Sequence, residues 1–351
     1  MRTPGSDRSF TIYDIAKKTG FAASTVSRTL NNKGYISEEA KSMIFKAAEE
    51  LNYTPNPTAR FLKMRKTNQI KLSMPHVRDS FYFDMIEAVQ NVAKSHGNSL
   101  ILNYSEDDAD EELRMLNNAK KNFVDGLILI SLNFTEKHLK EIQKINYPIV
   151  LSSISNNWII GETNFDYVGV DTQKGIFMST KYLMGQGHTR IGYVGLPSNT
   201  QVWDERYRGF CIAMEEAGLD INKDFVMTGG YKEEFGYEAG LKYARMKDRP
   251  TAICASTDLI VLGLYRAFKQ EGLKIPDDIS IIGMDNIPLN DMVEPRISSV
   301  SLSQADIGRT AAEIIFKRLD GSSESHFNTI FQPSLVIRES VVELKPRGKV
   351  D

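Results

Sequence analysis

The chain has 351 residues, too many for one ordinary core and enough for two or three domains. Apolar residues make up 41% and charged residues 25%, which excludes a disordered chain, and no apolar run is long enough for a membrane helix. The net charge of −2 conceals an asymmetry: residues 1–66 hold 12 Lys/Arg against 6 Asp/Glu, and the remainder holds 31 against 39. A small basic head on a larger acidic body is the distribution expected of a nucleic-acid-binding module joined to something else. Cys211 and Cys254 each lie in an apolar segment with no CxxC pair, so reduced buried thiols are expected rather than a disulfide framework. The N-terminus MRTPGSDRSF lacks the apolar core of a signal peptide, and the expected location is the cytoplasm.

Helix signals begin at once. Thr11 is placed to cap a first helix, with Asp14 three residues later as the acidic partner of a capping box, and Gly20 ends it. A second short helix is predicted over residues 23–31. In it Val26 and Leu30 share a stripe suited to burial, while Ser24 and Arg28 share another that is left for contact. A third starts after Ser37, with Glu38 and Glu39 near its positive end and Ala40, Met43, Ile44, Ala47 and Leu51 at helical spacing. Three short helices with a glycine turn between the first two describe a helix-turn-helix unit, whose second helix lies in the DNA major groove. Arg28 is then the strongest base contact, since a guanidinium bonds guanine O6 and N7 together, and Ser24 and Ser27 reach bases or phosphates. The bland alternative is a three-helix packing unit with a solvated arginine.

The segment LNYTPNPTARFLKMRK (51–66) bears on that choice. Asn56 as N-cap and Pro57 at the first helical position open a helix of fewer than two turns, too short to persist in water alone. It is expected to fold only on a partner. Leu62, between Arg60 and Lys63, suits a wedge that enters the minor groove and unstacks a base step. A plain inter-domain linker is the alternative.

From Thr11 to Lys63 the residues TIYDIAKKTGFAASTVSRTLN and ISEEAKSMIFKAAEELNYTPNPTARFLK resemble the head of the lactose-repressor/galactose-repressor (LacI/GalR) family, with T-V-S-R and N-Y-x-P-N at the family's spacing. The resemblance implies a DNA-binding headpiece whose hinge helices pair across a dimer and insert leucines at the operator centre. It places Ala23, Ser24 and Arg28 at base-reading positions and Ala59 and Leu62 at hinge contacts. Thr11, Tyr13, Thr25, Ser27, Asn31, Tyr53, Asn56, Thr58 and Lys63 are assigned with them to the DNA face. Ala22 departs from the serine that caps the recognition helix in many members, at a cost of about 1 kcal/mol to the cap.

Beyond residue 66, β-rich runs alternate with amphipathic helical stretches: Ile70–Met74, Ser99–Asn103, Gly126–Ile130, Ile149–Ser152, Arg190–Gly195, Ala252–Ala255 and Ile279–Gly283 read as strands. That alternation predicts parallel sheets with helices on both faces, in two lobes. Ligands of such sheets bind at the carboxyl ends of strands, which singles out Asp171, Asp258, Asp285 and the VWDERYRGF run with Arg206 and Arg208. Carboxylates and an arginine around a cleft suit a polyhydroxylated or planar polar ligand. Helix caps and surface ion pairs are the bland readings, and for Asp258 the two stand about even.

The family likeness continues in DLIVLGLYRAFKQEGLKIPDDISIIGMDN and ERYRGF. It implies a periplasmic-binding-protein-like core with an effector between its lobes. Arg206, Asp171 and Asp285 would then bond the effector's polar groups, Tyr231 would set an aromatic ring against it, and Phe81 and Tyr82 would line the first-lobe wall. Thr257 and Asp258 complete the set, Thr257 standing where relatives often carry asparagine.

The five histidines are scattered without metal-ligand spacing, and no GxSxG, Walker loop or GxGxxG is present. No enzyme activity, metal or cofactor is expected. The C-terminus VVELKPRGKVD lacks leucine heptads, which favours a twofold dimer over a coiled-coil tetramer. The predicted architecture is an α/β protein: an all-α helix-turn-helix headpiece (residues 1–66, hinge helix near 56–64), a two-lobed body with parallel sheets (67–340) and a tail (341–351). The predicted function is a dimeric repressor of carbohydrate-utilisation genes, bound to a palindromic double-stranded operator and controlled by a small effector, a sugar or sugar derivative, with no membrane partner. A co-repressor-dependent regulator using a purine or a phosphoprotein, a solute-binding receptor and an α/β enzyme are the alternatives.

Overall fold

A computed structural model describes residues 10–31, 34–53, 66–76, 80–106, 108–119, 124–132, 134–152, 165–195, 201–322 and 325–344, without the side chains of 119 and 201–203. The chain divides into two compact units, Met1–Lys66 and Thr67–Asp351. In the first, α1 (Ile12–Thr19), α2 (Ala23–Leu30) and α3 (Glu38–Glu50) close on a small core of Ile15, Val26, Ile44, Ala47 and Ala48. The local signals act as their chemistry requires. Asp14 Oδ2 accepts from Thr11 N and Oγ1, both at 2.8 Å, and Ser37 Oγ accepts from Ala40 N at 3.3 Å. Gly20 ends α1 at φ 76°, where a side chain would be strained. Ala22, at the cap of α2, supplies no side-chain hydrogen bond.

The body contains two six-stranded sheets. The first, all parallel, runs β11 (Asn328–Phe331), β5 (Asp166–Val170), β4 (Ile149–Ser152), β3 (Gly126–Ile130), β1 (Gln69–Met74), β2 (Ser99–Tyr104). The second runs β12 (Ser334–Val336), β10 (Ser298–Ser301), β9 (Ser280–Asp285), β8 (Ala252–Ala255), β6 (Ile191–Gly195), β7 (Val226–Thr228), with β12 alone antiparallel. Strands β3, β5 and β6 are buried at every residue, because helices cover both faces. These helices are α4 (Phe83–Ser95), α5 (Ala109–Ala119), α6 (Glu136–Ile142), α7 (Thr172–Gly185), α8 (Gln201–Glu216), α9 (Glu233–Arg245), α10 (Asp258–Glu271) and α11 (Gln304–Leu319).

The chain passes between the lobes three times: from β5 into α7, from β10 into α11, which packs on β3, β4 and β5, and from β11 into β12. The crossings are tied together. Asp171 N donates to Phe331 O at 3.3 Å, and Lys174 Nζ donates to Gln332 Oε1 at 2.7 Å. Residues 342–344 are bound to the second lobe: Leu344 N donates to Gln186 O at 2.8 Å, and His188 Nε2 lies 3.1 Å from Val342 O.

Helices α9 and α10 approach at backbone distance. A Cβ on Gly236 would overlap Ile260 O, and one on Gly263 would overlap Glu233 O. Neither obstacle is a flexible side chain that can swing aside, so Gly263→Ala is expected to destabilise the body by about 1–3 kcal/mol. Denaturant unfolding is the check, and an unchanged midpoint would show that the helices separate freely.

Asp258 opens α10 but serves the fold instead of a cleft. It is fully buried. Its Oδ1 accepts from Ser299 Oγ at 2.7 Å, and its Oδ2 accepts from Ile287 N at 3.0 Å and Asn290 Nδ2 at 2.7 Å. This is a correction to the sequence reading, which places Asp258 among the effector contacts. Burial pushes its carboxyl up to about 7, although the hydrogen bonds pull the other way. A carboxyl raised above its unfolded value near 3.9 contributes stability that is complete below that value and lost as pH rises through about 7. Wild type should therefore lose stability relative to Asp258→Asn as pH rises from about 5 to 8. Parallel stability curves for the two proteins would refute the assignment.

Candidate functional site

On the head, α2 buries Val26 and Thr29 and leaves Ser24 and Arg28 exposed. Leu30 is only half-buried, and Thr29, whose Oγ1 donates to Thr25 O at 2.9 Å, takes the inner position beside Val26. The hydroxyl can be buried because it spends its proton on its own helix. Ala23, Thr25 and Ser27 are half-buried, and Asn31 Nδ2 donates to Ser27 O at 2.7 Å, closing the end of α2. Tyr13 is 71% exposed on α1, next to the Thr11 cap, and Tyr53 packs against the small core. The head thus exposes the Ser24 hydroxyl, the Tyr13 phenol and the Arg28 guanidinium, with Val26 and Thr29 turned inward. Asn56, Thr58, Ala59, Leu62 and Lys63 lie outside the described residues.

In the body, the second sheet brings Arg206, Thr257, Asp285 and Tyr231 to the carboxyl ends of its strands. Arg206, on α8, is 2% exposed; its Nη1 donates to Ser256 O and its Nη2 lies 3.7 Å from Asp285 Oδ1. Asp285 ends β9 at φ 114° and Asn286 follows at φ 52°, two successive non-glycine residues in the left-handed region. Such strain persists only where neighbours fix it. Gln304 Nε2 donates to Asp285 O, Asn286 N donates to Ser299 Oγ at 3.0 Å, and Asp258 anchors the next turn from below.

Thr257 caps α10 by accepting from Ile260 N at 3.2 Å and donates to Tyr231 O at 2.8 Å. Its hydroxyl proton therefore fixes the Tyr231 backbone. Asp171 caps α7, its Oδ1 accepting from Lys174 N at 2.8 Å, at the first crossing between the lobes. Phe81 and Tyr82 form a short turn after β1, stack edge to face at 4.9 Å between centroids, and belong to the core at 6% and 3% exposure.

Three residues escape the sequence reading. His76, just past β1, hydrogen-bonds through Nε2 to Tyr231 Oη, with ring centroids 5.9 Å apart, a direct contact from the first lobe to the second. Its position at the carboxyl end of a strand is the one signal that could have found it. Glu205, beside Arg206, is 2% exposed and accepts from Thr172 Oγ1 at 3.1 Å. Tyr193 on β6 is fully buried near Arg206 and Ser256, and burial raises its phenol far above the usual range. Elsewhere, His138 Nε2 sits 3.3 Å from Glu112 Oε2, and the Glu112 oxygens also take the Ser105 and Ser131 hydroxyls; this pair ties α5 and α6 to the first sheet. Among the described residues no cluster of His, Cys, Asp and Glu could hold a metal ion, and no helix is long and apolar enough to cross a membrane.

Known proteins carry the same two parts. Residues 11–56 match the bacterial regulatory proteins of the lacI family, and residues 180–341 match the periplasmic binding protein-like domain. The HTH-type transcriptional repressor PurR of Pasteurella multocida is 32% identical over 332 residues, covering 94% of this chain and 98% of the relative. Catabolite control protein A of Priestia megaterium is 31% identical over 312 residues, 88% and 92% of the two chains. Among solved structures, the lac repressor dimer bound to operator and the anti-inducer ONPF superposes with a TM-score of 0.82 at 20% identity, covering 95% of this chain and 100% of that one. The CelR–cellobiose complex gives 0.70 at 24%, covering 94% and 99%. The predicted two-lobed body and helix-turn-helix head are the architecture of these regulators, and the enzyme alternative falls away with them. The chain belongs to the LacI family, as a sequence-specific DNA-binding transcriptional repressor whose grip on its operator is set by a small effector.

Proposed function

We propose that the repressor controls carbohydrate-utilisation genes in the cytoplasm as a homodimer, its two heads reading the halves of a palindromic operator and its effector a sugar or sugar derivative. The observation that carries the sugar reading is the buried Arg206 beside Asp285 at the strand ends. A guanidinium donates two hydrogen bonds in fixed geometry and a carboxylate accepts them, which matches neighbouring hydroxyls that each donate and accept. Tyr231, tied to His76, offers the aromatic surface on which a sugar ring rests. Effector binding changes the lobe arrangement and so the ease with which hinge helices pair in the minor groove, with Leu62 as the wedge. Couplings of this type amount to about 1–3 kcal/mol, or about 5–150-fold in operator affinity.

A purine co-repressor is the second reading, because the relatives include repressors named PurR.

On the head, Ser24 and Arg28 read the bases and the remaining hydroxyls hold phosphates. Arg28→Ala is expected to weaken operator binding by about 1–3 kcal/mol and to broaden base choice at one position of each half-site. Selection from a randomised duplex library measures this, and an unaltered base preference would remove Arg28 from the reading. In the cleft, Arg206→Lys keeps the charge but loses the fork, and sugar affinity should fall about tenfold or more in titration calorimetry. Equal affinities would move the effector elsewhere.

A further inference from the structure

The carboxyl ends of β6 and β8 hold a group of polar atoms that the effector reading does not use. Arg206 Nε, Tyr193 Oη and Ser256 Oγ are all buried, and none makes a well-formed hydrogen bond among the described residues, the two hydroxyls having only a weak bond to each other. They lie together for reasons of register. Strands β6 and β8 pair in parallel with Val194 opposite Ala255, so Gly195 stands level with Ser256, and Ser256 N donates to Val194 O at 2.8 Å. The Tyr193 ring runs along its own strand over Gly195, where a Cβ would sit 2.6 Å from the phenol oxygen. Only glycine leaves room for that ring. The phenol therefore emerges at the strand ends within electrostatic reach of Ser256 and Arg206, and Arg206 Nη1 already donates to Ser256 O. Below them Cys254, paired in register with Tyr193, is fully buried and closes the floor.

Buried polar groups without good partners are costly, and a native fold keeps them where something else completes them. We propose that Tyr193 Oη, Ser256 Oγ and Arg206 Nε form the closed inner end of the effector cleft, a subsite that receives one hydroxyl group of an uncharged ligand and refuses phosphate or carboxylate. This rests on the effector reading of Arg206. Two of the three groups are hydroxyls that donate or accept, and the third is an N–H donor, a set that a ligand hydroxyl satisfies in both directions. The charge balance sets the refusal. Arg206 is the only buried Lys or Arg among the described residues, whereas Glu205, Asp258 and Asp285 are buried carboxylates at the same end of the sheet. An anion would share one guanidinium with Asp285, 3.7 Å away, and would meet the field of Glu205 next to it in the chain.

The test uses the full chain in thermal-shift and calorimetric titrations with D-glucose, D-ribose and cellobiose, with glucose 6-phosphate and ribose 5-phosphate, and with hypoxanthine. Tyr193→Phe and Ser256→Ala each delete one hydroxyl at nearly constant shape. A neutral sugar is expected to stabilise wild type, and its Kd to rise about tenfold in each variant, about 1.4 kcal/mol. Their ligand-free midpoints should stay level or rise, since a poorly paired hydroxyl is removed. A fall of several degrees in both ligand-free variants would mean that the hydroxyls are already satisfied in the free protein, and would overturn the subsite. So would an unchanged Kd in both, and if Arg206→Lys still weakened the same sugar, the effector reading would survive that loss. Stabilisation by the phosphates with none by the neutral sugars would overturn the charge argument, stabilisation by hypoxanthine alone would overturn the sugar reading, and no response to any neutral sugar would sink both readings together.

Discussion

Removing a guanidinium from water costs several kcal/mol unless its charge and donors are met inside. Arg206 is that group here, and much of the second lobe is arranged around meeting it. The carboxylate that faces it belongs to Asp285, which reaches the position only because β9 ends in a backbone conformation that non-glycine residues avoid. That conformation is held in turn by Gln304, Ser299 and the turn anchored on Asp258. The chain of support runs from one buried cation to a strained strand end, then to a buried acid whose oxygens are taken by Ser299, Ile287 and Asn290. Gly283 belongs to it as well, since a Cβ there would overlap Asp258 Oδ1.

The head works on the opposite principle. Its core is five small-to-medium apolar residues, and its stability leans on terminal chemistry such as the Thr11–Asp14 box and the Ser37 cap. Such local devices are written into adjacent residues, which makes them legible in the amino-acid order alone. The pattern that exposes Ser24 and Arg28 is legible for the same reason, because i and i+4 share a face on any helix. The half-buried Leu30 and buried Thr29 show the limit of that reading: a hydroxyl that bonds its own helix can replace an apolar residue, and periodicity alone does not register the exchange.

The body shows a similar division. Strands rich in Ile, Leu and Val, such as Gly126–Ile130 and Ile149–Ser152, are marked to the residue by their apolar runs. Ser298–Ser301 is not, because its serines hydrogen-bond within the fold and mimic loop composition, and Asn328–Phe331 and Ser334–Val336 are short edge strands without a buried apolar run. The site divides likewise. Arg206 and Asp285 follow apolar strands, and the strand-end rule gathers them, whereas Thr257 and Tyr231 come from the family likeness. Asp258 follows the same rule yet is turned into the interior, because the rule fixes where a residue stands along a strand and not which way it points. The bond from His76 to Tyr231 joins residues far apart in sequence, and no local pattern encodes it.

The threefold passage of the chain between the lobes has a genetic consequence. Neither lobe is a continuous stretch of sequence: the first sheet takes its outermost strand, Asn328–Phe331, and a covering helix, Gln304–Leu319, from far beyond the start of the second. A gene fragment cut near the first passage would encode a sheet with a bare edge at β5 and an uncovered apolar face. The body is therefore inherited whole. Recombination can exchange the head for another, and hence the operator, but cannot trade one half of the cleft without unmaking both.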